Sequence, residues 1–385
     1  MQKIDWASDL EQLKSQLPAL HKKTFSSQEK ASFSAQIDKL ILRLNSLDTY
    51  HIATQIARIV ATIGDAHTTA VLPRHSRLPL ECYWFKEGIY ITLTVPELAH
   101  LRQKRIVAIE GIPIDEIVDR LSQVISFENQ SFLMSALPAY LVCADILFGI
   151  GVLSGSRNAK LTLESTDKQQ QVVGICTTLY EGFQPSAMTA AMNAVVLPLY
   201  RRNRDKHYWS ELNGESLYFN YNRCADMDEI SVSDFTAKLI ADIKANPRIS
   251  KLVIDLRNNG GGNSELLRGF LEWLTTFYRL NVQGSLFVIV GRDTFSSALL
   301  NTFFLAQHTQ ATFVGEPTGG KPNSFGEVKY LSLGSSGMLI RYSTNYYELI
   351  DDDKQSSFIP DILFDVNFRD FAAGIDPCVD WIAKQ

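Results

Sequence analysis

Residues 251–262 read Lys-Leu-Val-Ile-Asp-Leu-Arg-Asn-Asn-Gly-Gly-Gly, and the amphipathic run NSELLRGFLEWL follows directly (263–274). A β-branched apolar run closed by Asn-Asn and three glycines predicts a buried strand, a tight loop and then a helix. The same plan recurs at 285–309 as SLFVIVG, RDTFSSA and LLNTFFLAQHT. Further strand-like runs, ESLYFNYN (215–222) and ATFVGE (311–316), flank the pair. Strand–helix alternation of this length predicts an α/β fold around a mostly parallel sheet with right-handed crossovers. In open sheets of that kind, sites gather at the carboxyl ends of the strands. Gly260, Gly261, Gly262 and Ser296 all fall there.

The two loops supply complementary chemistry. Three glycines leave backbone N–H groups bare at a helix start, a natural place for an anion. A tight turn that only lets the helix pack on the sheet is the structural alternative. In the second loop, Ser296 and Ser297 stand where a helix begins, and a serine there serves equally as an N-cap. A nucleophile at that position gains from the helix dipole and from the next N–H, that of Ser297. A serine hydroxyl needs a base, and two are candidates: His67, after the Gly64-Asp65 turn, and Lys321, in VGEPTGGK (314–321). Either residue could equally be a structural or solvated side chain.

Several other chemistries are excluded. Gly315-x-x-x-x-Gly320-Lys321 matches a phosphate-binding loop only as far as the lysine; Pro322 follows, where magnesium binding needs Ser or Thr. There is no H-E-x-x-H, C-x-x-C or G-x-S-x-G motif. His67 and His75 are separated by a strand-like run and Pro73, which argues against a shared metal. No metal or organic cofactor is expected.

Outward from the core, the N-terminal residues carry helical periodicity in LEQLKSQLPALHKK, FSAQIDKLILRLNSL and TYHIATQIARIVATI, before GDAHTT (64–69). The middle region mixes strands (GIYITLTV, KRIVAIEG), a helix (PIDEIVDRLSQVI) and a closing hairpin (AKLTLES with QQQVVGI). RRNRDK (201–206) reads as a solvated loop. The expected division is an N-terminal helical region (1–75), a middle α+β segment (76–178) and a catalytic core (179–385).

Composition agrees with an ordinary globular chain: 385 residues, 45% hydrophobic and 21% charged. The net charge of −5 argues against nucleic acid and anionic membranes as partners. No apolar run approaches the length of a spanning helix, so no stable membrane insertion is expected. The opening MQKIDWASDLEQL lacks the basic-then-apolar layout of a signal peptide, so a cytoplasmic location is expected. The cysteines (82, 143, 176, 224, 378) are odd in number and widely spaced, as free thiols in a reducing compartment would be. Cys378 as a nucleophile ranks below Cys378 as an inert buried thiol.

Four stretches in this order, GDAHTT, LVIDLRNNGGG, GRDTFSSA and VGEPTGGKPNSFGE, together with Ile359-Pro360-Asp361-Ile362, resemble the C-terminal-processing and tricorn-core family of serine peptidases. The opening helices leading into GDAHTT resemble the histidine-bearing branch of that family. The resemblance implies a crotonase-like catalytic core. It makes Ser296 the nucleophile rather than Ser297. It makes the N–H of Ser297, with that of Gly260 or Gly261, the oxyanion donors. The tail-specific branch uses a lysine at the interval that separates Lys321 from Ser296 here, whereas the tricorn-like branch uses a histidine with a more distal glutamate. GDAHTT favours His67 as general base, with Lys321 structural or electrostatic and Glu348, in STNYYELIDDD, as the loosely matched supporting acid. The relay hydroxyl that the tricorn-type pattern places before the histidine is Ala66 here. RIVAIEGIPIDEIVDRL resembles the strand–turn–helix core of a PDZ domain, a module that binds chain ends by strand addition.

The implied function is peptide-bond hydrolysis through an acyl-enzyme, with a polypeptide substrate and a homo-oligomer compatible with the sequence. One rival is a catalytically inactive binding protein on the same scaffold, and Ala66 is the feature that favours it. Another is an acyl-CoA enzyme, which has no use for a serine nucleophile with a base.

Overall fold

In a computed structural model of the chain, residues 4–180, 197–352 and 354–385 are described. Much of the opening of the 179–385 segment, and Asp353 in the acidic run after Glu348, therefore lie outside the described residues. The chain forms two compact units, each discontinuous in sequence: residues 1–128, 136–194 and 324–347 in one, and residues 129–135, 195–323 and 348–385 in the other.

The first unit opens with three helices, α1 (Trp6–Leu20), α2 (Ser27–Ile41) and α3 (Thr49–Ala61). Each starts on a side-chain cap. Asp5 accepts from the Ser8 N–H, Ser26 and Glu29 form a reciprocal capping box, and Asp48 accepts from the Tyr50 and His51 N–H groups. Leu10, Leu13 and Leu17 of α1, and Ile52, Ile56, Ile59 and Val60 of α3, are buried at helical spacing. Gly64, at φ +72°, ends the run and starts a turn through Asp65 and His67. Strand Thr69–Ala70 follows and pairs antiparallel with Leu339–Tyr347, which pairs with Ser324–Ser332. A hairpin from late in the chain thus closes on the turn that carries His67.

The rest of this unit holds a sheet in the order 80–85, 88–94, 105–109, 158–164, 170–176, antiparallel throughout. Helix Ile114–Ser122 follows its third strand. The strands, helix and hairpin expected in the middle region are all present.

The second unit is built on one sheet, β1 (Tyr208–Asn213), β2 (Ser216–Tyr221), β3 (Lys251–Asp255), β4 (Leu286–Val290), β5 (Thr312–Gly315) and β6 (Ile362–Leu363), in that spatial order. β1 and β2 are antiparallel and all later pairs are parallel, as the strand–helix alternation requires. Helices α4 (Val232–Ala245), α5 (Glu265–Thr276) and α6 (Ser297–His308) connect the parallel strands. One face of the sheet, with Phe219, Leu252, Ile254, Val288 and Val290, packs with Leu239, Phe270 and Ala298 of these helices. The other face, with Tyr218, Val253, Phe287 and Ile289, is covered by Cys378 and Ile382 near the C-terminus.

Just past β3, Arg257 is 8% exposed and lies between two carboxylates. Its Nε bonds Asp255, and its terminal nitrogens bond Asp255 and Asp376 at 2.6–2.9 Å. The Tyr200 ring covers the guanidinium at 4.7 Å. The Tyr218 hydroxyl donates to Asp255. The whole group fixes the direction in which the chain leaves β3. Among the described residues, no helix is long and apolar enough to cross a membrane.

Arg257→Met should leave Asp255 and Asp376 buried without their cation. The expected loss is roughly 3–5 kcal/mol of stability, read as a fall in the urea midpoint. A loss below about 1 kcal/mol would show that the carboxylates find water or other donors instead.

Candidate active site

Residues 256–262 leave the carboxyl end of β3 as an irregular loop, and two of its glycines are dictated by contact. Gly261 has φ +105°, and a Cβ there would stand 2.7 Å from the Ser296 Cβ and 3.1 Å from the Ser297 nitrogen. Gly262 has φ +134°, and a Cβ would fall 2.1 Å from the Cys224 carbonyl oxygen. At Gly260 a Cβ would meet nothing within 4 Å. Cys224 brackets the loop from the other side: its N–H donates to the Gly261 carbonyl at 3.0 Å and its carbonyl accepts from Asn263 at 2.7 Å.

Residues 291–296 leave the neighbouring end of β4. The Thr294 hydroxyl donates to the Leu256 carbonyl at 2.9 Å and accepts from the Gly291 N–H at 3.0 Å. The Phe295 N–H donates to the Asn259 carbonyl at 3.0 Å. Asp293 accepts from the Ser135 hydroxyl, and the Phe295 ring lies 4.8 Å from that of Phe132. Arg292, 4% exposed, is paired with Glu316. Held on all these sides, the chain passes through Ser296 at φ +54°, ψ −125° and enters α6. That backbone conformation costs a non-glycine residue of order 1–3 kcal/mol and persists only where surroundings impose it. A strained serine at a strand–turn–helix junction is the geometry of a nucleophile elbow; here it occurs without the G-x-S-x-G sequence.

The two serines have different surroundings. Ser296 occupies the N-cap position but makes no side-chain capping bond, so the capping alternative raised by the sequence is not realised. The Ser297 hydroxyl donates to the Gly262 carbonyl at 2.6 Å, tying α6 to the glycine loop. Gly261, Gly262, Ser296 and Ser297 therefore form one contiguous arrangement. Lys321 lies half-buried in the 316–323 loop of the same unit. That loop is attached to the Ser296 turn, because the Gly320 N–H donates to the Thr294 carbonyl at 3.0 Å. Glu348 is exposed and precedes Leu349, whose N–H donates to Asn323 Oδ1 at 2.9 Å.

His67 belongs to the first unit and is 6% exposed. Its turn is built around Asp65, which the sequence marks only as half of the Gly64-Asp65 turn. Asp65 Oδ1 accepts the His67 backbone N–H at 2.9 Å and stands 3.9 Å from His67 Nδ1. Asp65 Oδ2 receives the hydroxyls of Thr68 and Ser343, each at 2.6 Å, and His21 Nε2 at 3.0 Å. The Lys23 N–H donates to His21 Nδ1 at 2.8 Å, so the ring proton sits on Nε2 and faces the carboxylate. Burial alone would raise the Asp65 carboxyl, but these donors hold it down at about 2. Burial and the Arg341 charge lower His67 to about 4; Asp65 and the Phe325 carbonyl offset only part of that. The Thr68 and Ser343 hydroxyls both serve Asp65, and no motif links His21 or Ser343 to His67 in sequence.

Burial pushes the Cys378 thiol far above its ordinary range, so it is not a thiolate nucleophile. No group of three or more metal-ligating side chains occurs among the described residues.

No family model and no curated protein matches the sequence. Among solved structures, the chain is similar to mature CPAF, with a TM-score of 0.66 at 13% identity, covering 98% of this chain and 95% of that one. Mature CPAF complexed with lactacystin gives a TM-score of 0.66 at 13% identity, covering 98% of this chain and 96% of that one. The photosystem II D1 C-terminal processing protease is more distant, with a TM-score of 0.43 at 12% identity over 96% and 98% of the two chains. The CPAF likeness establishes a shared mixed α/β fold, the class expected from the sequence.

With a folded-state value near 4 against an ordinary 6.5, His67 binds its proton more readily in the unfolded chain. Stability is therefore full above pH 6.5 and falls as pH drops toward 4, by on the order of 3 kcal/mol. His67→Gln should flatten this part of a urea-midpoint-versus-pH curve. An unchanged curve would show that another group causes the acid loss.

Proposed function

We propose that the protein is a serine peptidase in which Ser296 attacks a peptide carbonyl and forms an acyl-enzyme. The observation that carries this reading is the strained Ser296 backbone, pressed against Gly261 at the start of α6 with its hydroxyl outside any capping bond. Further support comes from the four sequence stretches and from the fold shared with CPAF. The reading includes a crotonase-like core for the parallel-sheet unit and a PDZ-like middle segment (76–178) around the 105–121 strand–turn–helix stretch.

In this reading His67 takes the Ser296 proton during attack and returns it to the leaving amine. Water then repeats the sequence to release the acid. The Ser297 N–H and an N–H of the glycine loop, at Gly260 or Gly261, hold the negative charge that develops on the carbonyl oxygen. A His67 lowered to about 4 is neutral at pH 7 and available as a base. Asp65, ionised down to about pH 2, keeps a negative charge beside the imidazole when it becomes a cation. Lys321 and Glu348 have supporting roles, electrostatic and orienting respectively. The substrate is polypeptide, and no metal or organic cofactor takes part.

Ser296→Ala should abolish hydrolysis of fluorescein-labelled casein and labelling by a fluorophosphonate, with an unchanged circular dichroism spectrum. His67→Ala should lower kcat/KM by 10²–10⁴-fold, the usual range for a general base, and Lys321→Met by less than about tenfold. The acid limb of kcat/KM for the wild type should fall near pH 4, below the ordinary histidine range. A wild-type protein that neither cleaves casein nor takes up the probe would favour the second reading, an inactive peptide-binding homologue. Ala66, which removes the relay hydroxyl before His67, is the observation behind that reading.

A further inference from the structure

Asn259 immediately precedes the glycines and is wholly buried, with 0% exposure. A buried carboxamide must find partners for its donors and acceptor or destabilise the fold, and this one is connected to every part of the loop. Its Oδ1 accepts the Gly261 N–H at 2.9 Å and faces the Cys224 thiol at 3.5 Å. Burial raises that thiol to about 11, so it stays protonated and donates. Nδ2 donates to the Tyr221 carbonyl at the end of β2, at 2.8 Å. The backbone is engaged as well: the Asn259 N–H donates to the Leu256 carbonyl, and its carbonyl accepts the Phe295 N–H, each at 3.0 Å. One residue thereby joins β2, the glycine loop and the turn that carries Ser296.

This arrangement bears on which amides are free to act. Gly261 lies against Ser296, yet its N–H points at Asn259. Among the described residues, the N–H groups of Gly260 and Gly262 donate no backbone hydrogen bond. We infer that Asn259 is a positioning residue for the oxyanion hole: by capturing the Gly261 N–H it turns a neighbouring loop amide, at Gly260 or Gly262, toward the acyl oxygen on Ser296. The inference rests on the Ser296 peptidase reading and narrows it, since Gly261 itself becomes a spacer rather than a donor. No side chain other than a carboxamide both accepts at Gly261 and donates at Tyr221 from this position, except a protonated carboxylic acid of the same shape.

That exception supplies the test. Casein hydrolysis is followed in wild type, Asn259→Ala and Asn259→Asp from pH 4.5 to 8.5, with rates normalised to fluorophosphonate-titrated sites. Loss of one oxyanion donor costs about 10²–10³ in kcat, so Asn259→Ala should lose that much kcat with KM within about threefold. In Asn259→Asp the protonated acid reproduces both hydrogen bonds, whereas the carboxylate repels the Tyr221 carbonyl and the developing oxyanion. The variant-to-wild-type ratio of kcat should therefore be highest at pH 4.5 and fall as pH rises through the carboxyl's range. A structural role alone lowers the titrated sites and leaves this ratio flat with pH. The inference is overturned if the Asp variant shows a flat ratio, whether or not the Ala variant folds, or if Asn259→Ala retains wild-type kcat. An active wild type with an inactive Ser296→Ala and fully active Asn259 variants would defeat this inference alone. An inactive wild type, or an active Ser296→Ala, would defeat the peptidase reading and this inference with it.

Discussion

A missing Cβ at Gly261 is the constraint on which the Ser296 region depends. Parallel pairing of β3 with β4 brings two loops out at the same edge of the sheet. They touch so closely that a methyl group at Gly261 would collide with Ser296 at 2.7 Å. The close approach is what lets the Phe295 N–H reach the Asn259 carbonyl and the Ser297 hydroxyl reach the Gly262 carbonyl. Those bonds in turn hold Ser296 in a backbone region that a side chain avoids. The strain at Ser296 is thus local, but it is sustained by bonds that reach back to β2 through Asn259 and to β5 through the Arg292–Glu316 pair.

Asp65 organises the His67 turn by a different principle. A buried carboxylate is costly unless donors surround it, and here four do: the His67 backbone N–H, the Thr68 and Ser343 hydroxyls and the His21 ring. The donors come from the end of α1, the turn itself and the late hairpin. Folding of the N-terminal helices and closure of that hairpin are therefore coupled at one charge. The result is an imidazole held neutral by burial, with an ionised carboxylate beside it. Its low affinity for a proton makes it a weak base that remains available across the neutral pH range.

The sequence made much of this legible because periodicity and turn chemistry are local. The three N-terminal helices, the strand at 251–255 with its glycines and the helix after Ser296 all follow from neighbouring side chains, whereas the caps at Ser26 and Asp48 were not read from the sequence. Harder to see was whether Ser296 caps its helix or stands apart from it, since both need the same residue at the same place. The difference lies in the Ser296 backbone, at φ +54° and ψ −125°, held by the bonds of Thr294 to Leu256, of Phe295 to Asn259 and of Asp293 to Ser135. Asp65 was visible as a turn former but not as the centre of a hydrogen-bond network, because His21 and Ser343 are remote from it along the chain. Likewise Arg257 is an ordinary arginine in sequence; burial between Asp255 and Asp376 makes it the fixed point at the end of β3.

The sequence by itself determined the α/β class, the parallel order of the central strands and the two loops that carry the glycines and Ser296. These follow from hydrophobic period and from residues restricted in φ, which act within a few positions of one another. Only the tertiary structure decided which glycines are obligatory, which serine hydroxyl is tied to the backbone, where the Gly261 N–H points and what surrounds Asp65. Each of these depends on atoms from distant segments arriving within about 3 Å of one another, and that proximity is set by packing and not by any run of residues.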